Sequence, residues 1–152
     1  MKSEEQEKGE GQLNGWEPQI IVFACNWCSY AGADNSGVSR FQYPANVKLI
    51  RIMCSGRVAP TFLLRAFHYG ADGVMVTGCH LGDCHYGSGN EKAIVVVEKS
   101  KELLQLLGIG KERLQLEWVS APEGAKFART MAEFTEQIRA LGKLNGGAGN
   151  LP

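Results

Sequence analysis

The chain has 152 residues, and 16 lysines plus arginines balance 16 aspartates plus glutamates. Zero formal charge weighs against a nucleic-acid binder that works through a basic field. The longest apolar runs are too short for membrane insertion, and the length suits one domain with one core.

Residues 1–17 are charged and glycine-rich without apolar periodicity, and are expected to form a flexible tail. They contain no apolar segment of the secretory kind, so a cytoplasmic location is expected. Disulfides are rare there, and five cysteines cannot all pair within one chain. Metal binding or redox chemistry is the better reading. A single free cysteine packs like any small apolar residue, so position decides what these five do.

The first strand is expected over 19–24, where Ile20-Ile-Val-Phe-Ala24 is continuous rather than alternating. Such a run suits a parallel strand covered on both faces. Cys25-Asn-Trp-Cys28 follows it directly, and a Cys-x-x-Cys can bind a metal or exchange disulfides. A short helix is expected over 29–40, weakened by Gly32 and Gly37, and Tyr43-Pro-Ala-Asn46 is a turn.

The second strand is expected over 47–53, with Cys54-Ser-Gly-Arg57 at its end. A helix opens near Pro60, with Phe62, Leu63, Ala66 and Phe67 as its buried stripe, and stops at Gly70. The third strand, 73–77, runs into Gly78-Cys-His-Leu-Gly-Asp-Cys-His-Tyr86, which carries Cys79, Cys84, His80 and His85. The next helix is expected from Asn90 to about Leu107, with Ala93, Val96, Val97, Leu103, Leu104 and Leu107 on one side. The fourth strand is 114–119. Ser120, with Glu123 three residues on, reads as a capping box opening a last helix that ends near Leu141. Phe127, Met131, Phe134, Ile138 and Leu141 form its apolar stripe. Residues 143–152 are expected to be a second flexible tail, which leaves 18–142 as the domain.

The order β-α-β-α-β-α-β-α predicts an α/β fold: a single-domain, open, parallel four-stranded sheet with flanking helices and flavodoxin-like topology. Ligands of such sheets bind outside the carboxyl ends of the strands. Cys25, Cys54 and Cys79 each stand at the carboxyl end of a successive strand, and Cys28 and Cys84 lie in the same loops. Thiolates are soft donors suited to iron and sulfide, and a cluster needs four ligands. The spacing Cys25-x2-Cys28-x25-Cys54-x24-Cys79-x4-Cys84 matches neither common ferredoxin run, so it leaves the cluster type open. The local pairs Cys25/Cys28 and Cys79/Cys84 form the simplest ligand set, with Cys54 able to replace Cys28.

A zinc-stabilised adaptor uses similar ligands, with His80 or His85 able to join. Dithiol exchange at Cys25/Cys28 leaves the other three thiols without a role. A phosphate-cradling loop is poorly supported at either Cys25 or Cys54. His68 is expected to be structural, and Arg51, Arg57 and Arg65 to be solvated unless they face the thiols. Trp27 is expected to shield the site or to meet a partner, and Tyr30 and Tyr86 to pack in the loops.

Cys25-Asn-Trp-Cys-Ser-Tyr-Ala-Gly-Ala-Asp34, Arg51-Ile-Met-Cys-Ser-Gly-Arg57, Gly78-Cys-His-Leu-Gly-Asp-Cys-His-Tyr86 and Gly89-Asn90 resemble the delta (iron–sulfur) subunits of methyl-viologen-reducing hydrogenases. The resemblance runs from about Ile20 to Leu141, with Leu81 where many members are expected to have proline. It implies a 2Fe-2S cluster held by four of the five cysteines, and an electron relay without catalysis of its own. It also implies partners: an HdrA-like flavin and iron–sulfur subunit of a heterodisulfide reductase on one side, and a hydrogenase, formate dehydrogenase or NADH-type module on the other.

Overall fold

The structure, a computed structural model, describes residues 15–145. Residues 1–14 and 146–152, and with them most of both expected tails, lie outside the described residues.

Four strands, β1 (Ile20–Cys25), β2 (Val47–Ile52), β3 (Gly73–Gly78) and β4 (Leu114–Trp118), form one parallel sheet in the order β2-β1-β3-β4. Four helices alternate with them: α1 (Ser29–Val38), α2 (Pro60–His68), α3 (Gly89–Leu106) and α4 (Gly124–Leu141). The expected α/β class and open parallel sheet are therefore present.

The continuous apolar runs reflect helices on both sides of the sheet. Ile20, Val22 and Met75 point to one face, where they pack with Ala33 of α1 and with Phe127, Met131, Phe134 and Ile138 of α4. Phe23, Val74 and Val76 point to the other, with Leu63 and Phe67 of α2 and Val97 and Leu104 of α3. Burying each such large side chain contributes roughly 1.5–3 kcal/mol. At Gly73 an added β-carbon would lie 2.7 Å from Ile138, so α4 can cross β3 only over a bare backbone. Arg113 clamps the start of β4 to the end of α4 by donating to the carbonyls of Asp72, Leu141 and Gly142.

Helix α3 buries Ala93, Val97, Ser100 and Leu104, whereas Leu103 and Leu107 of the expected stripe stay exposed. Leu103 sits about 100° around the helix from Leu104, off the line that faces the sheet, and Leu107 lies just past the last helical residue, Leu106. Leu141 is likewise exposed at the last turn of α4. The expected capping box forms differently. Glu123 accepts from the Ser120 amide and hydroxyl at 2.9 and 2.6 Å, but the helix starts only at Gly124. Ser120–Glu123 is instead a turn, closed by the Glu123 N–H on the Ser120 carbonyl. Leu144 packs against the second core and donates its N–H to Asp72.

Register decides where the thiols meet. Cys25 lies opposite Ile52, Ala24 opposite Thr77, and Gly78 opposite Trp118. Cys79 and Cys54 therefore emerge one and two residues past the level of Cys25, on the same carboxyl edge of the sheet. Among the described residues, no helix is long and apolar enough to cross a membrane.

Candidate metal centre

The five thiols fall into two neighbouring groups. Cys25, Cys28 and Cys79 are buried, with all three sulfurs within 4.8 Å of one another. Cys25 and Cys79 are 4.0 Å apart, at the switch in strand order between β1 and β3. Cys54 and Cys84 form a half-buried pair 3.8 Å apart. The Cys25 sulfur also lies 3.8 Å from the carbonyl oxygen of Met53, the residue before Cys54.

Fixed backbone positions each group. The Asn26 N–H continues the β1–β2 ladder onto the Ile52 carbonyl at 2.7 Å. Ser29, fully buried, accepts the Cys25 N–H at 2.9 Å and donates to the Thr77 carbonyl at 3.1 Å. It thus ties the first cysteine to β3. The buried Asn90 amide donates to the carbonyls of Cys79 at 3.0 Å and His80 at 2.9 Å, which sets the path of the third loop. The Gly56 N–H points at the Cys54 sulfur at 3.4 Å.

Aromatic side chains join the first and third cysteine loops. Trp27 stacks on His85 with ring centroids 3.9 Å apart, and its indole N–H donates to the Tyr86 hydroxyl at 3.1 Å. Trp27, 47% exposed, thereby ties the first cysteine loop to the third. His85 is engaged in this stack, and His80 binds Glu123, while His68 packs edge-on against Tyr69. Arg51, Arg57 and Arg65 lie over the rings of Tyr30, Phe62 and Tyr69.

The thiols differ in acidity. Cys25 is drawn down to about 5, chiefly by the hydrogen bond from Cys28, against its burial and with help from the Trp27 and Ser55 amides. Cys28 is pushed up as the partner that keeps its proton, because it donates to Cys25 and is itself buried. Burial is the largest effect on both Cys54 and Cys79, and raises each. It also opposes ionisation at Cys84, but the amides of Tyr86, Asn90 and Gly89 outweigh it and lower that thiol.

A metal-binding test can be made on these distances. Two thiolates on one tetrahedral ion, with bonds of roughly 2.3 Å, sit about 3.8 Å apart. The Cys54–Cys84 and Cys25–Cys79 separations both meet that requirement. A cavity of about 400 Å³ toward the amino ends of the strands, lined by Ile21, Phe23, Ile50 and Phe62, holds no thiol, and its apolar walls offer no metal ligand.

Reading the sequence by motif missed Ser29 and the loop-setting role of Asn90, and placed Glu123 only as a cap. Glu123 also binds His80, joining the third loop to the turn before α4. Hydrogen bonds from the Ser120 hydroxyl, then from His80 and the Ser120 amide, hold its carboxyl down to about 2. A carboxylate lowered in the folded state stabilises above its unfolded value near 4.5, and that stability is lost as pH falls through about 2. Glu123→Gln is therefore expected to cost on the order of 1 kcal/mol near neutral pH. Denaturant titrations should find the gap between the two proteins closing from about pH 4.5 down to about pH 2. A gap unchanged over that range would place the stabilisation elsewhere.

The sequence model of the family described as "Methyl-viologen-reducing hydrogenase, delta subunit" matches residues 20–142. The vhc iron-sulfur subunit of the F420-non-reducing hydrogenase of Methanococcus voltae is 53% identical over 127 residues, covering 84% of this chain and 88% of its own. The iron-sulfur subunit of the F420-non-reducing hydrogenase of Archaeoglobus profundus is 54% identical, covering 84% and 93%. The A-type chain of the ferredoxin:CoB-CoM heterodisulfide reductase of Methanosarcina mazei is 44% identical over 127 residues, covering 84% of this chain but only 16% of that longer protein.

Proposed function

Because the chain belongs to the methyl-viologen-reducing hydrogenase delta-subunit family, we propose that it is an electron-relay subunit holding an iron–sulfur cluster at the cysteine edge of its sheet. The observation that carries this reading is the convergence of five thiols on one edge, two pairs of them at the spacing of ligands on a tetrahedral metal. Cys54 and Cys84 would supply one ligand pair of a 2Fe-2S cluster, and Cys25 and Cys79 the other. Cys28 is then the spare thiol, buried with its sulfur within 4.8 Å of those of Cys25 and Cys79 and pushed toward its protonated form. A cluster held there would take up and release single electrons without bond rearrangement. The chain's own residues hold the ligands still and tune them. Ser29 and Asn90 fix the backbone of Cys25 and Cys79, and the amides around Cys84 favour its thiolate. The Trp27–His85 stack ties the first cysteine loop to the third.

The proposed partners are a hydrogenase and an HdrA-like chain of a heterodisulfide reductase. That a matching segment lies inside a longer heterodisulfide reductase chain in one relative supports the second, since fusion makes permanent an encounter that separate chains must repeat. A formate dehydrogenase in the hydrogenase's place would need only the same edge.

The test is iron and acid-labile sulfide per chain on anaerobically purified protein, with EPR before and after dithionite. About two irons and two sulfides, with a signal appearing on reduction, are expected for a binuclear cluster. Zinc without sulfide would overturn the relay reading and leave a structural adaptor.

A further inference from the structure

We propose that a cationic cavity beside Cys54 docks an acidic surface of the redox partner, making this the side on which electrons are exchanged; the inference rests on the relay reading above. The cavity, about 300 Å³, has Cys54 in its wall together with Met53, Arg57, Tyr86 and Lys92. Of the two sulfur groups, this is the one nearer solvent: Cys54 and Cys84 are half-buried, whereas Cys25, Cys28 and Cys79 are buried.

Apart from Cys54 and any cluster it holds, the charged side chains of the cavity are all of one sign. Arg57 and Lys92 both line it, and no aspartate or glutamate does. Among the described residues neither cation has an ion-pair partner within the chain. Arg57 instead lies over the Phe62 ring, which orders the guanidinium and leaves its hydrogen-bonding fork available. The exposed acids nearest in sequence, Asp83 and Glu91, lie outside the lining. Because the whole chain is neutral, this is a local field and not part of a general excess.

The rim has the composition of a protein interface. Met53 and Tyr86 are each 56% exposed, and methionine, tyrosine and arginine are the residue types enriched at interface centres. Carboxylates on the partner would pair with Arg57 and Lys92 while its apolar atoms covered Met53 and Tyr86. That contact would bring the partner's surface onto the exposed sulfur pair.

The test uses the cluster-loaded chain and a fluorescent hexaglutamate peptide, read by anisotropy at low salt. The double variant Arg57→Gln/Lys92→Gln is compared with Lys48→Gln/Lys99→Gln, which removes the same charge elsewhere. Binding should weaken about fivefold in the first, the effect of two exposed ion pairs, and hardly change in the second. In parallel, the reduced chain is oxidised by anionic ferricyanide and by cationic hexaamminecobalt(III), one electron passing to either oxidant. At low salt Arg57→Gln/Lys92→Gln should be oxidised more slowly than the wild type by ferricyanide, the difference closing as salt is added, while the second oxidant is no slower. Equal losses in both double variants, or no peptide binding, would overturn the docking site. Complete displacement of the peptide by an equal concentration of inorganic phosphate would also overturn it, in favour of a small-anion site. Absence of iron and sulfide would instead defeat the relay reading, because peptide binding is scored separately from metal content.

Discussion

Cys54→Ala is expected to purify folded but with less than about half the iron and sulfide of the wild type, while Cys28→Ala keeps nearly all of it. The contrast runs against sequence proximity, which groups Cys25 with Cys28 and leaves Cys54 over. Cys54 has its sulfur 3.8 Å from that of Cys84, the separation of two ligands on one tetrahedral ion. Without it, Cys84 has no such neighbour in the half-buried group. Cys28 stands differently. It is pushed toward keeping its proton, and its closeness to Cys25, with sulfurs within 4.8 Å, is what chiefly draws Cys25 down. Losing that donor should alter the cluster's potential and its EPR line shape more than its content. Cys25→Ala and Cys79→Ala should lose the cluster as Cys54→Ala does. The checks are metal and sulfide analysis, EPR, and circular dichroism to confirm folding. A Cys28→Ala chain empty of iron beside a fully loaded Cys54→Ala chain would reinstate the two local pairs as the ligand set.

Gly89→Ala should also empty the site, although it adds only a methyl group and touches no ligand's chemistry. A β-carbon at Gly89 would stand 2.2 Å from the Cys54 sulfur and 3.2 Å from that of Cys84. No real contact is that short, so Cys54 would have to rotate away and the pair would separate. Elsewhere the change is mild. Gly89 is the first residue of α3, where alanine is favoured over glycine by up to roughly 1 kcal/mol. The expected result is a melting temperature within a few degrees of wild type, since about 1 kcal/mol moves it only that far, together with most of the iron lost. Gly56→Ala is a useful companion. Its β-carbon would lie 2.7 Å from the Gly89 backbone and push the turn after Cys54 away from α3. Full cluster occupancy in Gly89→Ala would show that Cys54 is not a ligand.

Much of the fold was legible because burial on both faces of a parallel strand leaves a continuous apolar run. Ile20–Ala24, Val47–Met53 and Gly73–Thr77 each lie within a residue or so of the observed strands. The amphipathic stripe of α4 was legible for the same kind of reason, its period of 3.6 matching one face against a sheet. The errors are local. Leu103 and Leu107 can share a side with Val96, but both are exposed, Leu107 because it lies past the end of α3 at Leu106. Ser120 and Glu123 make the side-chain contacts of a capping box around a turn, so the motif was real and the helix start was displaced.

The sequence by itself determined that the thiols would share an edge. Each of three strands has a cysteine at its last residue or within two residues after it, and parallel strands present like ends on one side. The quoted cysteine segments likewise pointed to the family that the matched residues 20–142 bear out. Only the tertiary structure decided which sulfurs are neighbours. That depends on β1 standing between β2 and β3, and on the start of α3 packing over the turn after β2 at Gly56 and Gly89. Neither is a property of any one segment. Spacing along the chain therefore joined Cys25 to Cys28 and Cys79 to Cys84. Packing between elements joined Cys54 to Cys84 and put Cys79 beside Cys25, because a sulfur's neighbours are set by the close approach of backbones that are remote in sequence.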